Sequence, residues 1–199
     1  MKKQILMPIL TIVLCAALLL GLSFGFAGLG AKNAQAAHIR LMQTLLPGST
    51  EFILEPYSGE DPNIRSVHKG ENGFVVETLV NGYADEIRMY VGVNLDGKVT
   101  GLVVYEAHET VGLGNQALTD HVFLAQFLNK SGSFEVNTSG ADAFTGATAQ
   151  EETADGESAP VDAISGATVT SKAIVRSVNS AVAYVTGADA VTAATSWGG

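Results

Sequence analysis

The chain of 199 residues has one cysteine, Cys15, so no disulfide can close within it and no cysteine-based metal site can form. Its four histidines, His38, His68, His108 and His121, share no i,i+4 spacing, and each reads as a solvent-exposed or helix-surface side chain. No histidine stands in a recognisable frame with a serine, so hydrolase chemistry has no support. Basic residues are scarce: 11 Lys and Arg against 20 Asp and Glu give a net charge of −9. A surface of that sign repels nucleic-acid phosphates, and we exclude a nucleic-acid partner.

Charge of either sign is missing from one long stretch. Ile5 to Ala31 carries no charged residue and is dominated by Leu, Ile, Ala, Val and Phe. A membrane span needs about 20 apolar residues, and this run exceeds that. Ala34-Gln35-Ala36 offers a small-x-small cleavage pattern behind the basic start Lys2-Lys3, but the run is nearly twice a normal signal-peptide core. We therefore expect an uncleaved signal anchor, with the lysine pair on the cytoplasmic side and the rest of the chain across the membrane. Leu14 before Cys15 argues against a lipoprotein site.

Beyond the anchor, Ala36 to Leu46 reads as a short helix ending before Pro47. Residues 51–55 read as a strand stopped by Pro56, and 58–70 as a polar loop. Phe74–Val80, Ile87–Asn94 and Val99–Tyr105 are strand patterns, joined by the turn signals Asn81-Gly82 and Asp96-Gly97. Consecutive hairpins predict an antiparallel sheet. Residues 108–114 form a glycine loop, and 120–128 read as a helix with Phe123, Leu124, Phe127 and Leu128 on one face. Residues 131–160 are poor in bulky apolar side chains and read as a mobile acidic insertion. Lys172 to Val185 places Ile174, Val178, Ala181, Val182 and Val185 at helical spacing. The expected fold class is α+β, an antiparallel sheet with packed helices, preceded by one N-terminal transmembrane helix. The expected organisation is a cytoplasmic start and anchor over 1–35, an extracytoplasmic domain over 36–186, and a flexible tail over 187–199.

One seven-residue phrase occurs twice: Asp, two variable residues, Ser or Thr, Gly, Ala, Thr. It spans Asp142 to Thr148 and again Asp162 to Thr168. The second copy lies between an extended segment and a helix start, where Thr168 or Thr170 can serve as N-cap. Gly166 and Ala167 let another molecule approach the backbone, and free N–H groups at a helix N-terminus favour an anion. Thr168 adds a hydroxyl at the same spot. The residues alone leave two readings open: a phosphate-bearing ligand at Ser165 to Thr168, or a well-formed turn without one. The first copy is followed by Gln150-Glu151-Glu152 rather than a helix, so a phosphate at Thr148 is poorly stabilised, and Thr148 is at most a minor site.

Asp162 to Ser171 resembles the flavin attachment motif of the FMN-binding domain family. Asn81-Gly82-Tyr83, Val91 to Gly101 and Glu109-Thr110-Val111-Gly112-Leu113-Gly114 resemble further blocks of that family, so the likeness covers about residues 36–185. With one anchor and this length, the arrangement resembles the G-subunit branch found in Rnf-type electron transport complexes. The corresponding subunits of sodium-pumping NADH:quinone reductases, designated C, are similar but usually longer. The resemblance implies FMN joined by a phosphodiester to Thr168, attached by a flavin transferase, with Asp162, Ser165, Gly166 and Ala167 as the recognised turn. It places Glu109, Thr110, Gly112 and Leu113 beside the flavin. It implies an electron-transfer subunit of a membrane ion-translocating ferredoxin:NAD oxidoreductase, with the other membrane subunits as partners. A stand-alone anchored flavoprotein and a ligand-free anchored interaction module are the alternatives. Two departures stand out: Val111 where the family usually has Pro, and Asn115-Gln116 where it has a nearby Lys. Tyr83, Tyr90 and Tyr105 are candidates to stack on a flavin, although strand tyrosines more often serve the sheet. Gly112-Leu113-Gly114 also matches a dinucleotide fingerprint in letters, but the hairpins around it are not βαβ units.

Overall fold

A computed structural model describes residues 2–109, 114–137 and 159–188, with the side chains of 2–11, 20, 22–31 and 116 outside the description. The chain divides into two compact units, Met1–Leu41 and Met42–Gly199. Helix α1, Lys2–Leu45, takes in the expected uncharged run and the expected short helix in one continuous element. It stops two residues before Pro47, which has no backbone N–H to continue it. Among the described residues no helix is long and apolar enough to cross a membrane. Most side chains of the expected span, residues 5–31, fall outside the described set.

The second unit is built on a five-stranded antiparallel sheet in the order β1-β2-β3-β4-β5. The strands are β1 (Ile53–Glu55), β2 (Ile64–Lys69), β3 (Gly73–Asn81), β4 (Glu86–Asn94) and β5 (Val99–Ala107). The β3–β4 and β4–β5 hairpins close at the two predicted turns. Strand β2 corrects the sequence reading, which made 58–70 a loop. The reason is a register irregularity between Ile64 and Ser66. It lets Ile64 and Val67, three apart, both turn inward, so the period-two pattern that marks a strand is broken.

Helix α4, Thr168–Thr186, packs against β3 and β4. Its predicted face meets Val76, Val80, Met89, Val91 and Val93 in the core. Burial goes further than one face. Ser171, Ala173, Val175, Ser177, Asn179, Ser180 and Ala183 are buried as well. These mostly small side chains leave room for a second layer, the parallel pair β6 (Phe134–Asn137) and β7 (Ala159–Asp162). Both strands fall within or beside the stretch expected to be a mobile insertion, and their pairing corrects a purely antiparallel picture. Asn179 joins the layers: its Oδ1 accepts from Phe134 N–H at 2.8 Å and its Nδ2 donates to Phe134 O at 2.9 Å. Two short helices, α2 (Gly114–Thr119) and α3 (His121–Ala125), complete the unit. The predicted helix over 120–128 is shorter than expected, with Asp120 as its N-cap accepting from Val122 and Phe123 N–H.

The opposite face of the sheet carries a different cluster. Tyr90 and Tyr105 stack at 4.6 Å between ring centroids. The Tyr105 hydroxyl donates to Glu77 Oε1, and Ser66 Oγ donates to Glu77 Oε2. Burial first, then the hydrogen bond to Glu77 and its charge, raises the Tyr105 phenol well above its ordinary value. Burial likewise raises Tyr90, and raises Tyr184 beside Glu55. The folded state holds these phenols protonated, so their contribution to stability is complete below about pH 10 and is lost as pH rises through the folded values. A phenolate absorbance titration should show these three ionising late, together with unfolding; early ionisation in the folded protein would contradict the packing.

Candidate functional site

Strand β7 leads into a tight turn and then into α4. Ala167 N–H donates to Ile164 O at 2.9 Å, which closes the turn over Ser165 and Gly166. Gly166 has φ 79°, the left-handed value that such a turn requires at its third position. Ser171 Oγ accepts from Ile164 N–H at 3.3 Å, so the first turn of the helix grips the residue before the motif's serine. The sequence reading offered Thr168 or Thr170 as N-cap. The cap position is instead Ala167, which has no side-chain acceptor. A cap at 168 or 170 fails because the helix has already begun there.

This leaves the start of α4 open to an anion. Ser171 N–H makes the first helical bond, to Ala167 O at 2.8 Å. The N–H groups of Thr168, Val169 and Thr170 therefore have no carbonyl of the helix to bond. No acidic residue occupies the first turn of the helix itself. Thr168 is half-buried, Ser165 and Gly166 are exposed, and Ala167 is buried. Asp162 is exposed, with Oδ1 accepting from Asn137 Nδ2 at 3.1 Å. Its backbone is bracketed by the Gln126 side chain, whose Oε1 accepts from Asp162 N–H and whose Nε2 donates to Asp162 O. Gln126, Asn137 and Ser171 were not legible as site residues, because their parts depend on β6–β7 pairing and helix register.

Thr170 is 1% exposed, yet its hydroxyl has no partner. Arg176 Nε and Ser177 Oγ are buried and unpartnered too, so the first half of α4 holds three of the four such atoms found among the described residues. Native structures rarely leave such groups unmet, and the Thr170 hydroxyl calls for a polar occupant or ordered water. Helix α2 begins beside it. A Cβ built on Gly114 would stand 3.2 Å from Thr170 Oγ1 and 2.6 Å from Glu109 Oε2. The structure therefore brings Glu109, Gly114 and Thr170 together at the head of α4. Glu109 is occupied, with Oε1 accepting from Tyr83 N–H at 2.7 Å and Oε2 from Ala84 N–H at 3.4 Å. Thr110, Gly112, Leu113 and Thr148 lie outside the described residues.

Comparison with known proteins adds four findings. The FMN-binding domain family matches residues 82–183, from the β3–β4 turn into the last turns of α4. The G subunit of the Na(+)-translocating ferredoxin:NAD(+) oxidoreductase complex of Acetobacterium woodii is 33% identical over 140 residues, 66% of this chain and 55% of that protein. The G subunit of the ion-translocating oxidoreductase complex of Methanosarcina acetivorans is 30% identical over 200 residues, 92% of this chain and 96% of that protein. The chain thus spans about half the length of the Acetobacterium relative and nearly all of the Methanosarcina one. Among solved structures, the C subunit of the Na(+)-translocating NADH-quinone reductase from Parabacteroides distasonis superposes with a TM-score of 0.46 at 21% identity, over 75% of this chain and 80% of that one.

Proposed function

The chain belongs to the FMN-binding domain family, and on that premise we propose that it is an electron-transfer subunit with FMN held covalently at Thr168. The observation that carries the reading is the head of α4: uncapped N–H groups, a half-buried Thr168 at the first helical position, and a buried unpartnered Thr170 hydroxyl. The residues fit a phosphate-bearing group. The helix end supplies N–H donors and positive dipole, and no first-turn carboxylate opposes it. Asp162, Ser165, Gly166 and Ala167 form the turn that a flavin transferase would recognise. Lys172 and Arg176 give this half of α4 its positive charge. Thr110, Gly112 and Leu113 are proposed to flank the flavin from the loop beside Glu109.

When bound, FMN supplies one- and two-electron redox chemistry. The protein's part is to hold it. The turn fixes the height of Thr168, the helix end orients a phosphodiester, and β7 with Gln126 anchors the segment to the core. A covalent tether suits a cofactor that could not readily be replaced outside the cytoplasm.

We place the protein in an ion-translocating complex, as the names of its relatives indicate for those proteins, with the other membrane subunits as electron partners. The uncharged run from Ile5 to Ala31 behind Lys2-Lys3 supports a single-pass anchor with the domain extracytoplasmic. So does the 59–67% exposure of Ile12, Val13, Leu14, Leu18 and Leu19 on α1, which leaves apolar surface for lipid or a neighbouring helix. The test is to produce the full chain with a flavin transferase, denature it, and measure intact mass. One FMN less one water should be added per chain; an unmodified mass would sink the covalent reading.

A further inference from the structure

We propose that Tyr83 is the side chain that lies against the flavin ring, and that Glu109 holds it there; this rests on the covalent-flavin reading above. Three tyrosines were candidates from sequence. Tyr90 and Tyr105 are taken: they stack on each other on the sheet face away from α4, and the Tyr105 hydroxyl is bound to Glu77. Tyr83 sits elsewhere, in the β3–β4 turn, with 71% of its surface exposed.

That turn is held far more firmly than an exposed polar loop needs for its own sake. Gly82 N–H donates to Asp85 O at 2.9 Å within it. Glu109 accepts from the N–H groups of Tyr83 and Ala84. His108 Nδ1 stands 3.7 Å from Asp85 Oδ2. Arg176, on α4, donates from Nη2 to Asn81 O at 2.9 Å. A Cβ on Gly82 would fall 1.9 Å from Glu109 Oε1, so the carboxylate is pressed into a slot that only glycine leaves open. What they fix in space is the backbone that carries the ring of Tyr83.

The turn is also close to the attachment point. The path runs through short contacts. Tyr83 N–H to Glu109 Oε1 is 2.7 Å, and the Cβ position of Gly114 lies 2.6 Å from Glu109 Oε2 and 3.2 Å from Thr170 Oγ1. Thr170 is two residues along α4 from Thr168, about 3 Å of rise and about 200° of turn, so the two side chains leave opposite sides of the helix's first turn. The ribityl chain of FMN separates its phosphate from its ring, so a ring tethered at Thr168 can reach this turn. A phenol beside the ring offers the offset aromatic packing that flat ring systems favour. Glu109 is then a positioning residue, acting through the turn rather than by touching the flavin.

The experiment uses the full chain produced with a flavin transferase and reads flavin fluorescence per flavin absorbed, because a stacked tyrosine quenches an excited flavin by donating an electron to it. Tyr83→Leu should raise the yield severalfold with an unchanged thermal midpoint, and Tyr83→Trp, which keeps an electron-rich ring, should not. Glu109→Ala should raise the yield as Tyr83→Leu does. Glu109→Gln, whose amide oxygen can still accept from Tyr83 N–H, should raise it less. Tyr105→Leu should leave the yield as it was. An unchanged yield in Tyr83→Leu overturns the proposal, as does an equal rise in Tyr105→Leu. A wild-type chain without flavin overturns the covalent-flavin reading and this one with it, whereas a flavinylated chain indifferent to Tyr83 overturns this one alone.

Discussion

Thr168→Val is expected to abolish the covalent flavin adduct, while Thr148→Val leaves one adduct per chain. The expectation follows from what each position offers. A phosphodiester needs the hydroxyl oxygen, and valine removes it while keeping the branched shape and nearly the same helix propensity. None of the bonds that close the turn uses the Thr168 side chain: they run from Ala167 N–H to Ile164 O, from Ser171 N–H to Ala167 O and from Ile164 N–H to Ser171 Oγ. The substituted chain should therefore fold and fail only in modification. Thr148 shares the motif letters but is followed by Gln150-Glu151-Glu152, and nearby carboxylates disfavour a phosphate. Intact mass after denaturation decides between them. An adduct that survives Thr168→Val, or vanishes in Thr148→Val, would assign the flavin to the first copy.

The second large effect is expected from Asn179→Leu, which keeps the branched arrangement of side-chain heavy atoms but has no polar ones. Asn179 is 6% exposed and satisfies both the N–H and the C=O of Phe134. Its loss leaves two backbone groups without partners at the join between α4 and β6, at about 1–3 kcal/mol for each buried unsatisfied group. Urea unfolding should show a fall of about 2–6 kcal/mol with an unchanged m-value. A fall below about 0.5 kcal/mol, the size of an ordinary surface change, would mean that β6 is not held by this side chain.

The contrast between α4 and its neighbours shows what was legible beforehand. The hairpins were readable because Asn81-Gly82 and Asp96-Gly97 sit between runs of alternating residues, and α4 because five apolar residues recur at helical spacing. Strand β2 was hidden by a bulge, which puts its two buried residues three apart. Strand β6 was hidden for another reason, and β7 was read only as the extended segment before the motif's turn, not as half of a parallel pair. Each is four residues long, and their partners are set by tertiary pairing that no local pattern announces. The site divides the same way. The motif's tight turn before a helix could be read from its letters. That Glu109 spends its carboxylate on Tyr83 and Ala84, and that Gln126 brackets Asp162, depends on folds of the chain that bring distant residues together.

The parallel pairing of β6 with β7 has a consequence for how this family can vary. The two strands are in register from Phe134–Ala159 to Asn137–Asp162, and β7 leads straight into the turn before Thr168. Among the described residues, the bonds that hold the turn before that threonine lie at or beyond Ala159, in β6 and in Gln126. Residues 138–158 join the two strands in sequence. Closure entropy grows with the logarithm of loop length, so doubling such a connection costs only about 0.6 kcal/mol. The stretch is thus a place where lineages can lengthen, shorten or duplicate sequence, including a spare copy of the motif, without moving Thr168.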